Sequence, residues 1–404
     1  MSLHDSLVPN DHAPAADGDA GRLLLGGALA LCVAMGIGRF FYTPLLPLMQ
    51  REVGFGPDTA GLIASVNFVG YLLGTLAAVL VPKGRARLVV FRAALIASIA
   101  TTFATGLTES VPVWLMLRGF AGIASAFVFL FAAAMVAEAL AEAGENARVG
   151  WLFGGVGLGI AISGLVVRLA GGLLDWSELW MAAGLLALLP LPFILRSVKD
   201  THLRPKREHT RVGRSPRPLP LWALFLNYSC EGFGYAIVAT FIVAIVKARP
   251  GMEAVGDWVW VLVGLTGLPS CIFWSWVAGR IGFSAALGLA YVTQFVGILL
   301  PAASGAAWAA LLSAIFFGGT FMAITALILA VGRQGAKGQG FAVLTAGFGL
   351  GQIAGPLAAG YLMARRANFN DALFVSAGVI LIGLIFLALA VMQARAGETR
   401  LMDA

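Results

Sequence analysis

The sequence predicts an all-α membrane protein whose twelve transmembrane helices form two six-helix, pseudo-symmetric halves. Hydrophobic residues make up 59% of the 404 residues and charged residues only 12%, too few to give a soluble domain its polar surface. The apolar residues gather into about twelve runs of ~20 residues, each long enough as a helix to cross the ~30 Å hydrocarbon core. Short glycine motifs of the first half return in the second, each in the equivalent run.

Residues 1–21 read as a polar tail without the charged start and small-residue cleavage site of a signal peptide. The apolar run from Leu23 is too long for a signal core and reads as a true span. The first half, residues 22–196, places its spans at about 22–48, 57–81, 88–108, 112–140, 148–171 and 176–195. A basic linker follows over residues 197–218. The second half, residues 219–394, places its spans at about 219–247, 255–278, 284–303, 306–331, 339–364 and 370–394. Residues 395–404 form a second tail. Helix is required throughout, because a backbone amide in lipid finds a partner only within its own segment. The 51 glycines let such helices approach closely.

Composition excludes several chemistries. Cys32, Cys230 and Cys271 lie singly inside apolar runs and read as packing residues. His4, His12, His202 and His209 all fall in polar segments, so no span offers an imidazole pair for haem or a catalytic metal. No phosphate-binding lysine loop is present. No cofactor, metal or enzymatic activity is expected. The net charge of +7 reads as positive charge in cytoplasmic loops rather than a nucleic-acid surface.

One side of the bundle collects Lys83, Arg85, Arg87, Arg148, the linker, Arg280, Arg333, Lys337, Arg395 and Arg400. The other carries Arg51, Arg168, Lys247, Arg249, Arg365 and Arg366, largely beside acidic residues. The richer side is expected to be cytoplasmic, with both termini inside. Trp114, Trp151, Trp176, Trp180, Trp222 and Trp258 stand at span ends, where the ring suits the headgroup level.

Gly36-Ile37-Gly38 in span one is echoed by Gly232-Phe233-Gly234 in span seven. Gly155-Val156-Gly157-Leu158-Gly159 in span five is echoed by Gly347-Phe348-Gly349-Leu350-Gly351 in span eleven. Two matches at nearly one offset predict parallel repeats, related by an axis along the membrane normal, with any substrate site between the halves near the midplane. The glycines themselves read as tight packing, since neither motif follows a strand. Gly355-Pro356 in span eleven invites a kink.

An ionisable group at the bilayer centre costs at least about 2.5–3.5 kcal/mol, so each needs a reason. Arg39 lies about 6 Å from the middle of span one, and Glu231 lies at the middle of span seven. Their matched depth on repeat-related helices leaves two readings open. In one they face a shared cavity, Glu231 carrying a proton and Arg39 meeting an anionic group. In the other they form a permanent ion pair locking the halves. Arg118 either faces the cavity or snorkels to an interface. Asn67 and Tyr71 share one face of span two. Tyr42, Asn227, Tyr235, Thr320 and Gln352 complete the candidate set, with Gln294 and Thr325 as weaker members. Glu138, Glu142 and Glu145 read as solvated at the end of span four.

The run Gly36-Ile37-Gly38-Arg39-Phe40-Phe41-Tyr42-Thr43-Pro44-Leu45-Leu46-Pro47 resembles the first-span signature of the YbfB/YjiJ-like branch of the major facilitator superfamily. So do Glu231-Gly232-Phe233-Gly234-Tyr235, Phe317-Gly318-Gly319-Thr320-Phe321 and Gly351-Gln352-Ile353-Ala354-Gly355-Pro356. The resemblance covers essentially the full chain. Arg118-Gly119-Phe120-Ala121-Gly122 is similar to the superfamily's fourth-span motif, with Ala121 in place of Gln. The loops Val81–Arg87 and Ala278–Gly282 keep basic charge but lack the Asp the superfamily carries there.

The resemblance implies the major facilitator fold. It also implies a secondary active transporter that moves a small organic solute by alternating access, coupled to protons, in a bacterial inner membrane and as a monomer. Arg39 points to an anionic solute. The alternative is proton-driven export of a cationic or amphipathic compound with Glu231 as counter-ion. A passive pore would need a continuous polar stripe, and the polar residues here are scattered.

Overall fold

The computed structural model describes residues 15–199, 219–333, 339–366 and 369–402. The two tails' outer residues and most of the basic linker, with His4, His12, His202 and His209, lie outside the described residues. Within them every regular element is helical, and twelve helical segments are long and apolar enough to cross a membrane.

Spans one to six are Asp19–Val53, Pro57–Ala78, Arg85–Thr105, Val111–Glu142, Asn146–Ala170 and Trp176–Ser197. Spans seven to twelve are Leu221–Lys247, Glu253–Ile281, Phe283–Ala303, Ala307–Val331, Ala342–Arg366 and Phe369–Ala396. Short connections force neighbouring spans to run antiparallel. Local chemistry sets their ends: Gly54 turns the chain at φ 84° after span one and Pro57 opens span two. Asp175 caps span six by accepting from the amides of Ser177 and Glu178, which holds its carboxyl below the usual range.

The halves repeat one packing plan. In the first, span one packs on span five, span two on span four, and span three on span six. In the second, seven packs on eleven, eight on ten, and nine on twelve. The halves meet where span two packs on eleven and span five on eight. The glycine motifs make these approaches possible. A Cβ on Gly36 would stand 2.3 Å from the Gly159 backbone, and one on Gly232 would stand 2.2 Å from the Phe348 carbonyl.

Several spans are less regular than the hydropathy pattern predicts. Span one is interrupted: Cys32–Ile37 winds as a π-helix and residues 38–41 form a turn before Tyr42–Val53 resumes. Pro44 supplies one cause, since it lacks an amide hydrogen and its ring crowds the Phe40 carbonyl. Span ten breaks at Gly319 and Thr320, and span six bends at Leu189 and Pro190. Trp114, Trp176 and Trp180 are buried, against the expectation for span ends, whereas Trp151, Trp222 and Trp258 are exposed. Trp114 goes inside because its Nε1 donates to the Thr105 carbonyl and its ring meets Trp176 and Phe55 edge-on. Glu138 is held rather than freely solvated. Arg87 donates to both its oxygens, at 3.1 and 2.7 Å, and Lys83 lies 3.3 Å away. This acid on span four binds the basic loop where the superfamily's loop Asp is missing.

Candidate functional site

The break in span one frees backbone carbonyls, and Arg118 on span four satisfies two of them. Its Nη1 donates to the Gly38 carbonyl at 3.0 Å and its Nη2 to the Arg39 carbonyl at 2.8 Å. Asn67 donates in turn to the Arg118 carbonyl at 2.8 Å, and the Tyr42 hydroxyl donates to the Ala60 carbonyl at 3.1 Å. Arg118 therefore neither snorkels nor faces the central cavity: it is buried and pins the unwound stretch. Tyr42, Asn67 and Arg118 surround only a void of about 20 Å³ beside that stretch.

Arg39 projects from the same break and is 4% exposed. Its guanidinium lies 4.4 Å from the Phe68 ring centre and 4.3 Å from that of Tyr71. Among the described residues no acid faces it, and its Nε and Nη2 have no hydrogen-bond partner. These two N–H groups point the same way from one edge of the planar fork, which is the edge that grips a carboxylate with two parallel bonds.

Arg39 lines a cavity of about 70 Å³ between the halves, together with Tyr71, Tyr228, Tyr235, Phe321, Phe348 and Gln352. The rings are stacked in register. Tyr235 lies nearly parallel to Phe348 at 5.5 Å and to Phe321 at 6.1 Å, and Tyr228 covers Phe348 at 4.3 Å. Gln352 Nε2 donates to the Tyr235 hydroxyl at 2.7 Å, fixing that ring's tip. A cavity of about 150 Å³ holds one benzene ring, so the site as it stands is drawn in below the size of a single ring.

Glu231 stands apart from this cavity. It is fully buried, turned toward span nine, where Gln294 Nε2 donates to its Oε1 at 2.8 Å. The Thr320 hydroxyl, at the break in span ten, lies 3.1 Å from Gln294 Oε1 and 2.7 Å from the Phe316 carbonyl, with one proton to share between them. Glu231 Oε2 has no partner among the described residues. Among the described residues no ion pair joins Arg39 to Glu231, so the locked-pair expectation fails in this conformation. Arg39 lines the central cavity and Glu231 does not. On span seven Glu231 falls three residues after Tyr228 and four before Tyr235, beside the face they present, and its carboxyl turns sideways to Gln294 instead of into the cavity. Asn227 is likewise turned away, donating to the Gly383 carbonyl and accepting from Tyr291.

Of the predicted residues, Arg39, Tyr71, Tyr235 and Gln352, with the weaker Thr325, thus line the cavity. Glu231, Thr320 and Gln294 form a separate polar chain in the second half. Phe68, Tyr228, Phe321 and Phe348 were not predicted. Their signal in the sequence is aromatic residues at mid-span, one of them two turns from Tyr235, but single aromatics in apolar runs do not declare a site.

The cavity is closed on the face opposite the chain ends. There Thr43 bonds the Ala239 carbonyl and Ser65 bonds the Ile353 carbonyl at 2.8 Å, each joining one half to the other. Arg168 on span five reaches Asp257 on span eight at 3.7 Å, and Lys247 holds the same acid at 2.5 Å. A larger cleft of about 620 Å³ lies outside this closure. Thr75, Leu329 and Thr345 carry the cavity toward the other face.

Over residues 31–388 the chain matches the family described as "Uncharacterised MFS-type transporter YbfB". It belongs to that family of major facilitator transporters. It is also similar to a benzoate transport protein of Acinetobacter baylyi, with 28% identity over 176 residues, or 42% of this chain. The match spans 38% of that relative's length. A crystal structure of a mutant of the nucleoside transporter NupG superposes with a TM-score of 0.70 at 13% identity, covering 91% of this chain and 99% of that one. That likeness is one of fold. By its family the chain is an integral membrane transporter, not an enzyme.

Proposed function

We propose that this transporter carries a small aromatic carboxylate, coupled to protons, by rocking its two halves about the central cavity. The observation that carries the reading is the unpartnered Nε–Nη2 edge of Arg39 set among stacked aromatic rings. A buried guanidinium without an acid is costly unless a ligand supplies the anion. Flat aromatic walls favour a flat apolar body behind that anion. The benzoate transport function of the Acinetobacter baylyi relative supports the same class. A cationic solute would meet an unpaired guanidinium and no carboxylate in the cavity lining, which argues against the cationic-export alternative.

Proton coupling is assigned to Glu231. Among the described residues no cation faces it and one of its oxygens has no partner, and Gln294 links it to Thr320 at the break in span ten. Anion and proton then occupy separate sites, the first between the halves and the second inside the second half. The Lys/Arg asymmetry supports a cytoplasmic location for both termini, with the bundle in a bacterial inner membrane and acting as a monomer.

Thermal unfolding of the purified protein with a panel of organic ions tests the reading. A bound solute at 100 times its Kd stabilises the folded state by about 2.7 kcal/mol. Benzoate and related aromatic carboxylates should raise Tm, aliphatic amines should not, and Arg39→Met should abolish the rise. A panel in which aromatic amines stabilise and carboxylates do not would replace this reading with the export alternative.

A further inference from the structure

The cavity lining holds three polar side chains with unpartnered buried atoms: Arg39 at Nε and Nη2, Gln352 at Oε1 and Thr75 at Oγ1. They make different demands. The guanidinium asks for an anion. The Thr75 hydroxyl either donates or accepts, so it selects nothing by itself. The Gln352 carbonyl oxygen only accepts, so it can be satisfied only by a donor on whatever fills the cavity.

Gln352 is also held in place. It is 2% exposed, and its Nε2 is committed to the Tyr235 hydroxyl at 2.7 Å. Tyr235 is itself fixed, sandwiched between Phe321 and Phe348 and met edge-on by Phe68. The amide is therefore anchored at the Tyr235 hydroxyl by one end, and its other end is left without a partner among the described residues. Ser65 anchors the same stretch of span eleven by donating to the Ile353 carbonyl one residue on.

We propose that Gln352 is a specificity residue that selects, among aromatic carboxylates, those bearing a hydroxyl or amino donor on the ring. The inference rests on reading the cavity as an aromatic-carboxylate site. An unsubstituted ring leaves Gln352 Oε1 buried and unpaired, whereas a ring donor pairs it. Sites built to bond a polar substituent discriminate against the analogue lacking it far more strongly than apolar pockets discriminate by size. Tyr235 is the positioning residue, acting through the amide it clamps.

Binding of benzoate, the three hydroxybenzoates and the aminobenzoates to the full-length protein in nanodiscs tests this by titration calorimetry. At least one hydroxy or amino isomer should bind about tenfold or more tightly than benzoate. Gln352→Met should collapse that ratio toward one, and Tyr235→Phe should lower it by freeing the amide. Equal affinity for benzoate and every substituted isomer in the wild type would overturn the specificity role, as would a ratio that survives Gln352→Met. The wild-type comparison decides the matter even if a variant fails to fold. Absence of binding by any aromatic carboxylate would instead remove the underlying reading, and this inference with it.

Discussion

Replacing Arg39 with methionine should leave the empty protein about as stable while abolishing solute binding, and this contrast separates a receptor from a structural cation. Burying an unpaired cation in the bilayer costs at least about 2.5–3.5 kcal/mol. Its contacts with Phe68 and Tyr71, at 4.4 and 4.3 Å, return about 2 kcal/mol per ring when desolvated. The two terms nearly cancel, so Arg39→Met should change the stability of the empty protein by no more than about 1–2 kcal/mol. Binding should fall steeply. Two charge-assisted bonds from Nε and Nη2 contribute about 1.5–3 kcal/mol each, so their loss weakens the anion by about a hundredfold to ten-thousandfold. Arg39→Lys should fall between, because an ammonium keeps the charge and loses the parallel pair of donors. Differential scanning fluorimetry with and without benzoate reads both effects. A clearly lowered Tm for the empty Arg39→Met protein would refute the argument, because it would mean that Arg39 braces the fold. Unchanged benzoate stabilisation in that variant would refute it from the other side.

Arg118→Ala should behave oppositely, losing about 2–6 kcal/mol because the buried carbonyls of Gly38 and Arg39 are left without donors; Tm and folded yield measure it. Glu231→Gln should keep solute exchange but lose accumulation driven by an imposed pH gradient in proteoliposomes, and accumulation equal to wild type would remove the coupling role. Gly61→Val should fold yet fail to transport, since a Cβ there would stand 2.2 Å from the Pro356 carbonyl across the half-to-half seam. Maleimide labelling of a cysteine introduced at Thr43 should then rise from the side opposite the chain ends. Asp257→Asn should loosen the same closure by releasing Arg168 and Lys247, and the same labelling at Thr43 should increase.

The span pattern and the repeat were legible because lipid imposes a simple rule: each crossing is a helix of sufficient length, and equivalent glycines mark equivalent close approaches. Gly155 and Gly159 do pack against span one and Gly347 and Gly351 against span seven, while the middle glycines, Gly157 and Gly349, meet spans eight and two across the seam. The breaks were less legible. Span one reads as one apolar run, and its unwinding depends on Arg118, a residue far away in sequence that supplies the missing donors. For the same reason Arg118 was left between the cavity and an interface, since composition cannot tell a cation that binds backbone from one that binds solute or faces headgroups. Depth singled out Arg39 and Glu231, and both are buried, as are Arg87 and Arg118, but depth carries no rotation. Only the packed helices show that Arg39 turns to the cavity and Glu231 to Gln294. The aromatic box of Tyr228, Tyr235, Phe321 and Phe348 draws on spans seven, ten and eleven, and no short window of sequence contains it.

Counterflow in proteoliposomes tests the central claim most directly. Vesicles loaded with unlabelled benzoate, or with the substituted isomer that binds best, are diluted into a trace of the labelled acid. The account predicts a transient accumulation of label above equilibrium by the wild type, which only a carrier with a saturable central site produces, and none by Arg39→Met. Simple equilibration of label at a rate indifferent to the internal load would contradict the carrier reading for this solute. An undiminished overshoot in Arg39→Met would contradict the assignment of the anion to that guanidinium.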